Sequence, residues 1–233
     1  MENYMEISLR LKTVSSMVDN CKCAADIGTD HGYVPIYLVE SKVCKRVIAS
    51  DINKGPVEKA RFNIKLHGLE DKIDVRLGSG LASIKPGEAQ QVIIAGMGGN
   101  LIRDIIIDGM EVFKKLDALI LQPMRNSEVL REYIYKSGFK IIDEELCIDE
   151  NRFYEIIKVR YDNEKQEVDS IFYEIGKALV DKKHKLLLKF VESKIESYNK
   201  IILNIKDNTE LARRRKEDLY NKIKKLQELI ECI

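Results

Sequence analysis

The sequence predicts an α/β fold: a parallel sheet ending in an antiparallel hairpin, followed by a C-terminal antiparallel α-helical hairpin. Three observations carry this. Apolar strand-like runs alternate with helical segments of about ten residues from Cys23 to Ser137, the pattern of a parallel sheet with helices on both faces. The last two strand-like runs, 140–147 and 154–161, are separated by residues 148–153 alone. That is too little chain for a helical crossover, so they must pair antiparallel. After Tyr161 glycine nearly vanishes and apolar residues fall at gaps of three and four. The predicted domains are therefore 1–161 and 162–233.

Residues 7–18 place Ile7, Leu9, Leu11, Val14, Met17 and Val18 at helical spacing, with Ser8 as N-cap, and predict a short amphipathic helix. Strand 23–27 precedes a helix over 34–41, and strand 46–51 precedes a helix over 55–66. Strands 73–77 and 91–95 follow, then a helix over 100–108, a strand over 118–122, and a helix over 127–137 capped by Ser127. Runs 92–95 and 118–121 lack polar alternation, as central strands buried on both faces do. Farther on, Leu188, Val191, Ile195, Tyr198, Ile202 and Ile205 form one heptad seam, and Leu219, Ile223, Leu226, Ile230 and Ile233 form a second. Asp207, Asn208 and Thr209 supply turn and capping chemistry between them. Narrow seams under a polar exterior predict a coiled-coil arm.

The 233 residues are 45% hydrophobic and 7% aromatic without tryptophan, an ordinary globular composition. Charge divides unevenly: 16 Lys/Arg face 13 Asp/Glu from Asn163 onward, against 23 and 25 before it. This small excess hints at an anionic partner for the C-terminal part. Five scattered cysteines offer no zinc spacing; Cys21 and Cys23 lack a second Cys/His pair, so reduced thiols and no metal are expected. Glu2, Glu6 and Arg10 among few apolar residues argue against a signal peptide, and no apolar run is long enough for a membrane span. A soluble, cytoplasmic protein is expected; the sequence leaves the oligomeric state open, with a monomer favoured.

The stretch that organises the chemistry is Ala-Ala-Asp-Ile-Gly-Thr-Asp-His-Gly-Tyr, residues 24–33. A strand entering a glycine turn and then a helix offers free backbone N–H groups to a ligand. A dinucleotide fold would place Gly-x-Gly-x-x-Gly here, under a pyrophosphate. This chain has Gly28 and Gly32 with Asp26 before them and Asp30 between them. Two carboxylates repel a pyrophosphate and favour a cationic ligand rich in hydroxyls and amines. S-adenosylmethionine has that chemistry: a sulfonium, an α-amino group, a ribose diol and an adenine. Asp51 ends the second strand where an acid accepts hydrogen bonds from ribose hydroxyls, with Ile52 beside it. Gly78, Ser79 and Gly80 after the third strand would flank the adenine.

The motifs at 26–33, Ala-Gly-Met-Gly-Gly at 95–99, Leu-Gln-Pro at 121–123 and the helical hairpin together resemble the TrmK family, bacterial tRNA (adenine(22)-N(1))-methyltransferases, over essentially the whole chain. The resemblance implies a class I, Rossmann-like methyltransferase domain, S-adenosylmethionine as donor, tRNA as substrate and a C-terminal coiled-coil domain. Asp30 stands where the general class I pattern has a glycine, as in the family, and Ser79 stands where an acid is common.

Methylation at adenine N1 requires an exposed base and alignment of nucleophile, methyl and sulfur. A carboxylate beside the ring would stabilise the developing positive charge and take up an N6 proton. Asp30 is the candidate; its alternative role is an N-cap near Gly32. Ala95, Gly96, Met97 and Gly98 would line the methionine moiety and the base pocket; the alternative is that Gly96, Met97, Gly98 and Gly99 form only a tight strand-to-helix turn. Arg10 and His31 are further cofactor candidates, while His67 and His184 read as surface residues of helices. Gln122 and Pro123 would border the base, or the proline simply ends the strand. Arg213, Arg214 and Arg215 would contact phosphates, or form a solvated face. The competing functions are methyl transfer to another RNA or a small molecule, and a non-enzymatic S-adenosylmethionine-binding scaffold.

Overall fold

The computed structural model describes residues 5–232, so Glu2 and Ile233 lie outside the described residues. The chain divides between Val168 and Asp169 into two compact units.

In the first unit the strands are β1 (Cys21–Ile27), β2 (Cys44–Asp51), β3 (Ile73–Leu77), β4 (Gln91–Gly98), β5 (Ala118–Arg125), β6 (Phe139–Asp149) and β7 (Arg152–Tyr161). They form one sheet in the order β3-β2-β1-β4-β5-β7-β6. The first five are parallel, and β7 pairs antiparallel with both β5 and β6. The helices are α1 (Leu9–Ser16), α2 (Tyr33–Glu40), α3 (Lys54–Leu66), α4 (Gly99–Asp108), the short α5 (Met110–Phe113) and α6 (Ser127–Lys136). Ser8 caps α1, its hydroxyl oxygen accepting from Leu11 N at 3.3 Å.

Alternate residues of the central strands point to opposite faces, as strand geometry requires. Val92, Ile94, Leu119 and Leu121 pack with Ile102 and Ile106 of α4 and with Leu130 and Ile134 of α6. Ile93 and Ile120 pack on the other face with Ile36 and Leu38 of α2 and with Ala60 and Ile64 of α3. These strand residues are fully buried, each such side chain contributing about 2 kcal/mol through removal from water.

Three local expectations change. β4 and β5 continue to Gly98 and Arg125, pairing Met97 with Pro123 and Gly98 with Arg125 across register shifts, so residues 96–99 are a bulged strand end and Pro123 lies inside a strand. Gly96 takes φ +82° at the bulge, a conformation L side chains avoid. α4 then starts at Gly99, where a Cβ would lie 2.2 Å from the Asn126 carbonyl oxygen. The cap position of α6 is Asn126 at φ 56°, since asparagine tolerates the left-handed region, and Ser127 instead donates to Glu155 Oε1 at 2.6 Å. The β6–β7 loop shrinks to Glu150 and Asn151, both at positive φ, as a two-residue hairpin turn demands; Asp149 and Arg152 join the ladder.

The second unit contains α7 (Ile171–Glu174), α8 (Lys177–Asp181), α9 (Leu187–Asn204) and α10 (Glu210–Cys232). α9 and α10 fold back through a short turn and pack Ile202 against Leu219 and Ile223, with Ile195, Tyr198 and Ile205 beside them. Thr209 caps α10, its hydroxyl accepting from Ala212 N at 3.2 Å. At the start of α9 Leu187 is 2% exposed, whereas Leu188, the first residue of the expected seam, is 47% exposed. Glu174, buried on α7, receives Lys222 of α10 at 2.7 Å and the Tyr198 hydroxyl of α9. These charge-assisted bonds hold its carboxyl below the usual range despite burial.

Candidate active site

Strand order reverses at β1, which has β2 on one side and β4 on the other. In such a sheet a crevice opens beyond the carboxyl ends of the two strands where the order reverses. Here a cleft of about 680 Å³ lies at that point, within the size range of small-molecule sites. It is lined by Asp26, Gly28, Asp30 and His31 from the end of β1, Ala95 and Gly96 from β4, and Arg10 from α1.

Asp26 is buried, and burial pushes its carboxyl up to about 6. Asp51 adds to the rise; Thr29 opposes it, although its hydroxyl falls short of hydrogen-bond geometry. Among the described residues no cation offsets this cost, so an ammonium group entering the cleft would find an uncompensated acid. Arg10 supplies the complementary charge. Its Nη1 donates to the buried Gln122 Oε1 at 2.8 Å, and its guanidinium lies 5.6 Å from the Tyr154 ring centre. An acid and a base on one cleft suit the amino and carboxylate groups of an α-amino acid, and the residues present therefore fit S-adenosylmethionine.

Asp30 stands at the rim with its side chain 69% exposed, 3.5 Å from His31 Nε2. It does not cap α2, whose N-cap is Gly32 with no side-chain bond. His31 stacks on Tyr33 with ring centres 5.0 Å apart. The Met97 side chain lies over the Gly28 turn, its terminal methyl 2.1 Å from where a Gly28 Cβ would project. Gly98 closes β4 as the N-cap of α4.

Other candidates lie elsewhere. Asp51 ends β2 and accepts from Asn53 N at 2.7 Å, and Ile52 is 63% exposed beside it. Gly78 N donates to Asp51 O at 2.9 Å, tying the two strand ends together. Ser79 and Gly80 line a separate cleft of about 290 Å³ with Ile105 and Asp108. Gln122 has both polar ends engaged, its Nε2 donating to Pro123 O at 2.9 Å, and Pro123 is buried. Arg213, Arg214 and Arg215 are exposed on α10 of the second unit with local acceptors: Asn208 at 3.1 Å, Glu210, and Asp218 at 3.4 Å. His67 Nδ1 lies 2.6 Å from Glu40 Oε1, and His184 Nδ1 accepts from Leu186 N at 3.1 Å; both serve local structure.

Sequence reading missed the β6–β7 contribution. Asp149 Oδ2 accepts from Arg10 N at 3.0 Å across 139 residues of chain, and Tyr154 and Glu150 also line the cleft. Met124 does so from β5. The one available signal was the polar hairpin tip beside a tyrosine.

The cysteines are free thiols; Cys21 and Cys44 oppose each other in the β1–β2 register with sulfurs 3.3 Å apart. Among the described residues there is no cluster of three His, Cys, Asp or Glu able to hold a metal, and no helix long and apolar enough to cross a membrane.

Comparison with known proteins agrees with this geometry. A Bacillus subtilis tRNA (adenine(22)-N(1))-methyltransferase is 32% identical over 98% of this chain and 99% of its own. The Streptococcus pneumoniae Sp1610 protein, solved in complex with S-adenosyl-L-methionine, superposes with TM-score 0.83 at 32% identity, covering 96% of this chain and 99% of that one. Mycoplasma capricolum TrmK with S-adenosylhomocysteine gives TM-score 0.82 at 27% identity, covering 97% and 100%. The family model for TrmK, tRNA (adenine(22)-N(1))-methyltransferase, matches residues 24–228, and the chain belongs to that family.

Proposed function

We propose that this chain methylates N1 of adenosine 22 in tRNA with S-adenosylmethionine as donor. The observation that carries the reading is the pairing of buried Asp26 and cationic Arg10 on one cleft at the β1–β4 reversal.

Bound there, S-adenosylmethionine supplies a methyl group activated by its sulfonium. Asp26 would hold the α-ammonium and Arg10 the carboxylate, with Asp51 accepting from the ribose hydroxyls. Ile52, Gly78, Ser79 and Gly80 would flank the adenine. Ala95, Gly96, Met97 and Gly98 would form the wall between donor and target base. Direct displacement at a methyl carbon needs alignment above all, and the strand-end bulge fixes that wall.

Asp30 projects from the rim into solvent, where an incoming base would pass. Its carboxylate stabilises the positive charge that develops on the adenine ring and can accept the N6 proton. Gln122 acts behind the wall by orienting Arg10, and Pro123 shapes the same strand end. The C-terminal unit would serve as the coiled-coil arm, in which Arg213, Arg214 and Arg215 would contact phosphates. The enzyme acts as a cytoplasmic, metal-independent monomer.

Incubation of the full chain with unmodified tRNA and methyl-labelled donor, followed by nucleotide mapping, tests the reading. Label at N1 of adenosine 22 is expected; donor binding without transfer to any tRNA overturns it.

A further inference from the structure

We propose that the outer face of α3 is a tRNA-docking surface flanking the donor cleft, where Lys59 meets a phosphate and Phe62 with Leu66 meets an unstacked base or its ribose. The proposal rests on the tRNA reading and adds a surface to it.

α3 carries Lys54, Lys59, Arg61 and Lys65 against the single acid Glu58. Its core-facing row is Val57, Ala60 and Ile64, all buried. On the opposite side Phe62 is 63% and Leu66 is 68% exposed. These two are i,i+4 neighbours, and Lys59 lies three residues before Phe62, so the three share one patch. Packing against this unit's core explains neither exposed apolar side chain.

The cations are available. Among the described residues the ammonium groups of Lys54, Lys59 and Lys65 have no hydrogen-bond or ion-pair partner, unlike the guanidinium groups of Arg213, Arg214 and Arg215. Lys54 sits in a first turn that contains no acid, so it adds charge to an already positive helix end. A cationic surface interleaved with an aromatic ring suits a polyanion whose bases expose π-faces.

The face is also close to the chemistry. Asn63 Nδ2 donates to His31 O at 2.9 Å, and a Cβ added at Gly32 would lie 3.4 Å from the Ala60 Cβ. Lys59 and Leu66 flank Asn63 at i−4 and i+3, so the patch starts one helical row from the Asp30–His31 rim. A nucleotide held on α3 would extend directly toward the cleft.

The test is steady-state methylation and tRNA binding by the full chain over a salt series. For Lys59→Gln, the KM for tRNA is expected to rise about fivefold with kcat within about twofold and donor Kd unchanged; the slope of log affinity against log salt should fall by about one. Phe62→Ala is expected to weaken tRNA binding about tenfold or more with an unchanged salt slope. Both positions are exposed, and circular dichroism verifies the fold. Parental KM and parental slope in both variants overturn the proposal. So does a Phe62→Ala/Leu66→Ala protein that sediments as a smaller species than the parent, because the face would then join two copies. A parent that transfers no methyl to tRNA refutes the activity itself, a separate result.

Discussion

The Arg10 guanidinium reaches the wholly buried Gln122 side chain at 2.8 Å, across 112 residues of sequence. Gln122 in turn is held by its bond to Pro123 O. A charged group at the cleft is thus aimed by a neutral side chain that solvent cannot reach. Replacing Gln122 with methionine keeps volume but deletes the acceptor. Donor Kd is expected to rise about tenfold, about 1.4 kcal/mol, with the fold intact. A calorimetric titration matching the parent would show that Gln122 does not orient Arg10.

Asp26 makes donor binding and stability move in opposite directions. Its carboxyl is held at about 6 by burial, against an ordinary aspartate value near 4. The folded protein therefore binds more protons than the unfolded chain between about pH 4 and pH 6. Stability falls as pH rises through that window, and the cost above it is about 3 kcal/mol in the absence of donor. Asp26→Asn should recover much of this at pH 7.5 in urea melts and lose the advantage below about pH 4. The same variant should bind donor far more weakly. In the parent, donor affinity should weaken up to about tenfold per pH unit below 6, as the carboxylate gains its proton. A variant no more stable than the parent at pH 7.5 would contradict the buried charge.

The sheet was legible because its strands announce themselves. Runs such as 92–95 are apolar on both faces and bounded by glycines or polar turns. The strand ends were less legible: Gly96, Gly98 and Gly99 read as a turn, whereas a positive φ at Gly96 lets β4 bulge and continue. The helical seam was legible from Val191 onward, and only its first expected member differs: among the chemically identical Leu186, Leu187 and Leu188, packing buries Leu187 and leaves Leu188 exposed. Asp26, Gly28 and Asp30 were visible as a local motif. The contribution of Asp149 and Tyr154 was not, because it depends on a hairpin returning to α1 over a long sequence separation.

Arg131 is fully buried, with Nε on Glu144 Oε1 at 2.8 Å and Nη2 on Glu155 Oε2 at 2.6 Å. It joins α6 to β6 and β7, the hairpin that carries Asp149 and Tyr154. Arg131→Met removes the cation and leaves the fully buried Glu144 and the largely buried Glu155 carboxylates without it. A loss of about 3–5 kcal/mol at pH 8 is expected, shrinking as the pH falls and the acids protonate. Urea unfolding at pH 8 and pH 5 measures it; equal losses at both would mean that packing, not charge, dominates.

Asp30 offers the sharpest separation of chemistry from binding, because its exposed side chain contributes little to the fold. Asp30→Asn keeps the shape but removes the charge and the proton acceptor. Turnover is expected to fall about 100-fold or more, with donor Kd within about twofold of the parent and an unchanged melting temperature. Asp30→Glu should restore part of the activity, since the carboxylate returns at slightly longer reach. Full turnover by Asp30→Asn would move the proton-accepting role to another group on the cleft.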